Sequence, residues 1–175
     1  MDTQQKKLSL KQKGSMDYDV LLLATGSKPN KFGWPGQDLD GVGGLYSYQD
    51  LEYMEKYTKG IERGLIVGGG LIGIEMAEMM LSRGIKVTFL VREKGYWSNV
   101  LPMEESQMIV RHMKEHHVDL RLESELDSII DDGNGRACGV MTKAGDKIDC
   151  QFVGLTAGVS PNIAFLEGSG IETQR

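Results

Sequence analysis

Hydrophobic positions along this chain fall into short apolar runs separated by three stretches of helical spacing. Leu65-Ile66-Val67 is one such run, and Ile85-Lys86-Val87-Thr88-Phe89-Leu90-Val91 is another; both have the length and side-chain type of strands. Between them Ile72, Met76, Met79 and Met80 recur along one side of a helix starting at about Leu71. Gly73 and Ala77 supply a close-packing turn on it, and Arg83-Gly84 gives it a stop. Strand, glycine turn, helix and strand across residues 64–91 make a βαβ unit. A second helix is expected from about Met103 to His116, with Ile109 and Met113 inward, and Val118–Leu122 then reads as a third parallel strand.

From Leu126 the period shortens. Runs at 126–131, 136–142 and 147–152 are separated by Asp132-Gly133-Asn134-Gly135 and Ala144-Gly145-Asp146, both hairpin signals, which predicts an antiparallel meander. Phe152–Gly158 is a further buried strand. Upstream, Asp19–Ala24 has the continuous apolar pattern of a strand buried on both faces. Residues 30–44 read as an irregular connection rich in breakers, and 48–59 as a helix with Leu51, Met54 and Tyr57 or Thr58 inward. The predicted fold is α/β: a Rossmann-like three-layer domain with a central parallel sheet of three or four strands, helices on both faces and an antiparallel β-meander.

Composition narrows the function. At 175 residues the chain holds one core, or one domain with pieces of another. With 20 Lys and Arg against 25 Asp and Glu, the net charge is −5, which argues against a nucleic-acid partner. No apolar run approaches the roughly 18 residues of a membrane span, and no apolar core follows Met1–Lys7 as in a signal peptide. Two cysteines, Cys138 and Cys150, read as thiols on the meander, and a cytoplasmic setting is expected.

The candidate chemistry lies in the turn between the first strand and helix of the βαβ unit. Gly68, Gly70 and Gly73 stand at G-x-G-x-x-G spacing, with Gly69 between them. The first glycine permits a tight turn, the second lets a pyrophosphate approach the backbone, and the third lets helix and strand pack closely. Free N–H groups at Leu71 and Ile72, at the positive end of the helix dipole, are the expected phosphate donors. A ribose-reading carboxylate is expected at the end of the second strand, where Val91 stands with Arg92 next. Arg92, with Lys94 near, suits the 2′-phosphate of NADPH. Glu93 beside it suits the hydroxyl of NADH, so both remain open. Tyr96 and Trp97 are candidates for adenine stacking or for the edge of a core. His112 and His116 are read as part of a solvated helix face, and no metal site is expected.

Tyr18–Ser27, with its Ala24-Thr25-Gly26, resembles the A-T-G segment of the pyridine nucleotide–disulfide oxidoreductase family. Val67–Ala77 is similar to that family's inner NAD(P)H-binding block, and Gly158-Val159-Ser160-Pro161-Asn162 to its G-x-x-P-N return to the FAD domain. The resemblance implies an enzyme in which FAD accepts a hydride from NAD(P)H and passes electrons to an acceptor that these motifs leave unknown. A homodimer of the longer protein is compatible with it. It further implies that Glu75 faces the flavin as the catalytic-side residue, that Gly158 lines the nicotinamide side of the cleft, and that Ala24, Thr25 and Gly26 belong to the cofactor-binding set. The family's first FAD-binding glycine motif has no counterpart before Tyr18, and Ser98 stands where its NADPH pattern has a second arginine. The expected organisation is therefore 1–35 as partial FAD-domain segment and linker, 36–151 as NAD(P)H-binding domain, and 152–175 as return strand and partial FAD-domain segment. Such a piece is expected to bind NAD(P)H without turnover. The alternatives are a self-contained Rossmann dehydrogenase, for which no tyrosine here has Lys four positions on, and a nucleotide-sensing regulatory module.

Overall fold

The computed structural model describes residues 1–173. In chain order the first elements are β1 (Lys7–Leu10), β2 (Gly14–Asp17), β3 (Ser27–Pro29), β4 (Val42–Gly43), α1 (Tyr48–Thr58), β5 (Arg63–Val67), α2 (Leu71–Leu81) and β6 (Lys86–Leu90). Then come α3 (Met103–Glu115), β7 (Asp119–Arg121), β8 (Leu126–Asp131), β9 (Ala137–Thr142), β10 (Lys147–Asp149), β11 (Phe152–Leu155) and β12 (Val159–Pro161), with a 3-10 turn at Ala164–Leu166. Contacts divide the chain into one unit of 1–28 with 160–175 and a larger unit of 29–159.

In the smaller unit β1 and β2 form an antiparallel hairpin with Leu8 opposite Met16. Asn162 ties the unit's two chain segments together: its Nδ2 donates to the carbonyls of Thr25 and Ser27, and its own carbonyl accepts from Thr25 Oγ1 at 2.9 Å. The predicted strand at 19–24 does not form. Val20 is 89% and Leu22 86% exposed, and no ladder hydrogen bonds the run. An apolar run becomes a doubly buried strand only beside other strands and under covering layers, and among the described residues neither flanks it.

The larger unit is built on a five-stranded parallel sheet in the order β4-β11-β5-β6-β7. It has more strands than predicted, because β4 arises within the segment read as irregular and pairs with β11 through Val42 and Val153. The alternation of side chains along each strand sorts them into two layers. Ile66, Val87, Phe89 and Phe152 join Met54 and Tyr57 of α1, Met76 and Met80 of α2, and Met113 of α3 in one core. Leu65, Val67, Leu90, Val153 and Leu155 join Leu126, Ile129, Val140 and Ile148 of the β8-β9-β10 meander in the other. The fold is thus a three-layer α/β structure of Rossmann-like type, with one correction: all three helices pack into one core layer, and the meander, not a helix, covers the opposite face. A three-stranded meander with an apolar side buries that face as a helix pair does elsewhere.

The helix ends follow their sequence signals. Ser47 and Asp50 form a reciprocal capping box at α1. α2 stops in a Schellman arrangement in which Ile85 N–H donates to Met80 and Gly84 N–H to Leu81, with Gly84 at φ +75°.

Candidate functional site

The glycine turn leaves β5 at the centre of the sheet and enters α2 directly. Gly68 sits at φ +120°, and a Cβ there would lie 2.7 Å from the Thr156 carbonyl oxygen, so conformation and space both demand glycine. Gly73, on the first turn of α2, meets the Phe89 ring at 3.0 Å and the Gly68 carbonyl at 3.1 Å at its Cβ position, which is how close helix–strand packing is achieved. Gly70 differs. It caps α2 in extended conformation, and a Cβ on it would meet nothing within 4 Å. Above this turn lies open space.

That space is part of a cleft of 670 Å³ running over the C-terminal ends of the parallel strands. Gly68, Gly69, Gly70, Leu71 and Ile72 form its floor. Gly70 N–H, Leu71 N–H and Ile72 N–H have no hydrogen-bond partner among the described residues, as expected of the orphan donors of a helix's first turn. One wall comes from the end of β11: Thr156, Ala157 and Gly158, with Thr156 Oγ1 donating to Val67 O at 3.1 Å and Gly158 at φ +86°. The stretch before β4 adds Phe32 and Trp34, edge to face at 5.1 Å.

The other end of the cleft carries charge. Arg92, just past β6, donates from Nε to Glu93 Oε1 at 2.7 Å, which holds the guanidinium above its usual pKa. Lys143, in the β9–β10 hairpin, donates to Glu125 at 2.5 Å, and that hydrogen bond lowers the Glu125 pKa. Two cations and two carboxylates thus line this end, each paired. Trp97 and Ser98 complete it.

Of the residues singled out in the sequence, Gly68, Gly69, Gly70, Leu71, Ile72, Arg92 and Gly158 are brought together around the cleft. Gly73 and Val91 stand behind it: Gly73 is buried in the helix–strand contact, and Val91, 1% exposed, packs under Gly69. Glu75 is on the exposed side of α2 and does not line the cleft, nor do Ala24, Thr25 and Gly26, which are exposed in the smaller unit. Tyr96, considered for stacking, is 2% exposed and is not in the cleft wall, whereas its neighbour Trp97 is. Sequence reasoning missed Glu125, Lys143 and Thr156. They reach the site through the meander hairpin and the end of β11, and no local spacing marks them.

The model for pyridine nucleotide-disulphide oxidoreductases matches residues 1–175. The chain is 26% identical over 175 residues to the assimilatory nitrate reductase electron transfer subunit of Bacillus subtilis, covering 100% of this chain and 22% of that protein. It is 35% identical over 161 residues to the CoA-dependent NAD(P)H sulfur oxidoreductase of Pyrococcus abyssi, covering 90% of this chain and 35% of that one. In fold it is similar to a ferredoxin reductase of Rhodopseudomonas palustris, with a TM-score of 0.93 at 22% identity over 99% of this chain and 43% of the other. The chain therefore spans less than half the length of each of these proteins. With the glycine turn, the parallel sheet and the meander in the places the motifs anticipate, this chain belongs to the pyridine nucleotide-disulphide oxidoreductase family.

Proposed function

We propose that this chain is the NAD(P)H-binding part of a flavin-dependent oxidoreductase. The single observation that carries the reading is the open space at Gly70: the N-cap of α2 offers unpartnered N–H groups to a 670 Å³ cleft, and nothing occupies the direction a side chain would take. Gly68, Gly69, Gly70, Leu71 and Ile72 receive the pyrophosphate, with the helix dipole favouring its charge. Gly73 lets α2 pack close enough to aim those donors, and Val91 supports the turn from beneath. Arg92 and Glu93 face the adenosine ribose, and Gly158 with Thr156 borders the nicotinamide. Because Arg92 and Lys143 each already hold a carboxylate, a ribose hydroxyl and a ribose phosphate both find a partner, and the site takes NADH and NADPH.

Bound NAD(P)H supplies a hydride to a flavin of the longer protein. The residues of this chain bind, orient and shield the nucleotide. Residues 36–151, completed by β11, form the nucleotide-binding domain. Residues 1–35, with Ala24, Thr25 and Gly26, and the segment after β11 belong with the FAD domain. The names of the relatives, an electron transfer subunit and a sulfur oxidoreductase, support electron delivery as the role.

Calorimetric titration of the purified chain with NADH, NADPH and FAD tests this. Saturable binding of the pyridine nucleotides, without their oxidation and without retention of FAD, is expected. A folded chain that binds neither nucleotide, or that retains FAD and oxidises NADH, contradicts it.

A further inference from the structure

Among the described residues Tyr96 is the largest fully buried side chain, and its position is not explained by packing alone. Its ring meets Phe89 edge-on at 5.7 Å, a contact that phenylalanine would make as well. What tyrosine adds is a hydroxyl, and burying one is unfavourable unless it is hydrogen-bonded. That hydroxyl donates to the Gly70 carbonyl at 2.7 Å, the shortest of three hydrogen bonds to that oxygen; Gly73 and Ile74 N–H donate at 3.2 and 3.4 Å. At its other end the residue is fixed by Ser106 of α3, fully buried, whose Oγ donates to the Tyr96 carbonyl at 2.8 Å. Burial raises the phenol pKa well above the ordinary value, so the donor stays protonated throughout the physiological range.

The Gly70 carbonyl and the Leu71 N–H belong to one planar trans peptide and point in opposite directions. Fixing the first aims the second. With no side chain on Gly70 to limit rotation, this peptide is held by the first helical turn, through Gly73 and Ile74 N–H, and from outside the helix by the shorter hydrogen bond of Tyr96. Trp97 follows at φ +55°, a left-handed backbone that is unfavourable for a tryptophan and places its side chain in the cleft wall. Tyr96-Trp97 thus joins the two ends of the cleft: its hydroxyl orients the turn and the next side chain forms the wall beyond β6.

We propose that Tyr96 is a positioning residue for dinucleotide binding, acting through the Gly70 carbonyl to hold the Leu71 N–H toward the pyrophosphate. The proposal rests on the nucleotide-binding reading of the cleft. It separates phosphate recognition from adenosine recognition, because the hydroxyl touches only the turn. In the Tyr96→Phe variant, the ring and Trp97 stay in place while the peptide loses the shortest of its three hydrogen bonds.

The test compares NADH with adenosine, which carries no phosphate, on wild type and Y96F, reading Trp fluorescence and the thermal midpoint of each protein. NADH affinity is expected to fall about tenfold in Y96F, the scale of one lost buried hydrogen bond, while adenosine affinity changes less than about twofold. A purely structural role would lower the midpoint and weaken both ligands alike, and that outcome overturns the proposal, as does unchanged NADH affinity. Wild-type protein that binds no pyridine nucleotide overturns the reading of the cleft itself, a result distinct from wild type and Y96F binding NADH equally.

Discussion

Three glycines within six positions serve three different physical needs, and substitution separates them. At Gly68 an alanine Cβ meets backbone at 2.7 Å in a left-handed conformation, so Gly68→Ala is expected to destabilise the fold by about 2–4 kcal/mol in urea unfolding. At Gly70 the Cβ enters open cleft, so Gly70→Ala is expected to leave the unfolding midpoint within error while weakening nucleotide binding. The spacing of these glycines was legible in the sequence because each is a local backbone requirement. Lys143 and Glu125 were not, since a hairpin far along the chain brings them to the cleft. Cys150, fully buried behind β10, gives a pH prediction. Burial, with Cys138 and Asp149 adding to it, pushes its thiol from 9.0 up to about 12. The native state keeps this proton where the unfolded chain loses it, so the contribution is complete below pH 9 and declines as pH rises toward 12. Urea midpoints are expected to fall across that window, and less steeply in Cys150→Ala.

At the scale of the element, local signals decided most outcomes. The capping box at α1 has Asp50 N–H donating to Ser47 Oγ at 3.3 Å and Ser47 N–H donating to Asp50 Oδ2 at 2.8 Å. Ser47→Ala is expected to lower stability by about 1 kcal/mol, measured by chemical unfolding, with little change in nucleotide affinity because α1 does not line the cleft. The βαβ unit and the meander hairpins were readable because their turns and periods are written within a few residues. The two-residue β4 was not: with no apolar run of its own, it exists because β11 offers it a ladder. The run at 19–24 failed in the opposite way. Its pattern promises a buried strand, and Val20 and Leu22 lie exposed because burial is supplied by neighbours, not by the run itself.

For the molecule as a whole, the layers that sandwich the sheet were only half foreseeable. Near-continuous apolar runs in β5, β6 and β11 imply that both faces are covered, yet the same run serves under a helix or under a strand. That the meander claims one face follows from the contacts of Leu126, Ile129, Val140 and Ile148, which no local pattern assigns. The result places the C-terminal ends of the strands between a helical layer and a meander layer, and the cleft opens there. Such a crevice at the carboxyl ends of parallel strands is the usual ligand site of open α/β sheets. The chain's two tryptophans, Trp34 and Trp97, both line it, so intrinsic fluorescence reports directly on its occupancy. The most direct test of the account is therefore a fluorescence titration with NADH, run in parallel on wild type and G70A. A saturable change in wild type, displaced at least about tenfold in Kd in a G70A protein of unchanged unfolding midpoint, is the predicted result. A folded wild type that shows no saturable change, or a G70A protein that binds NADH as tightly as wild type, would contradict it.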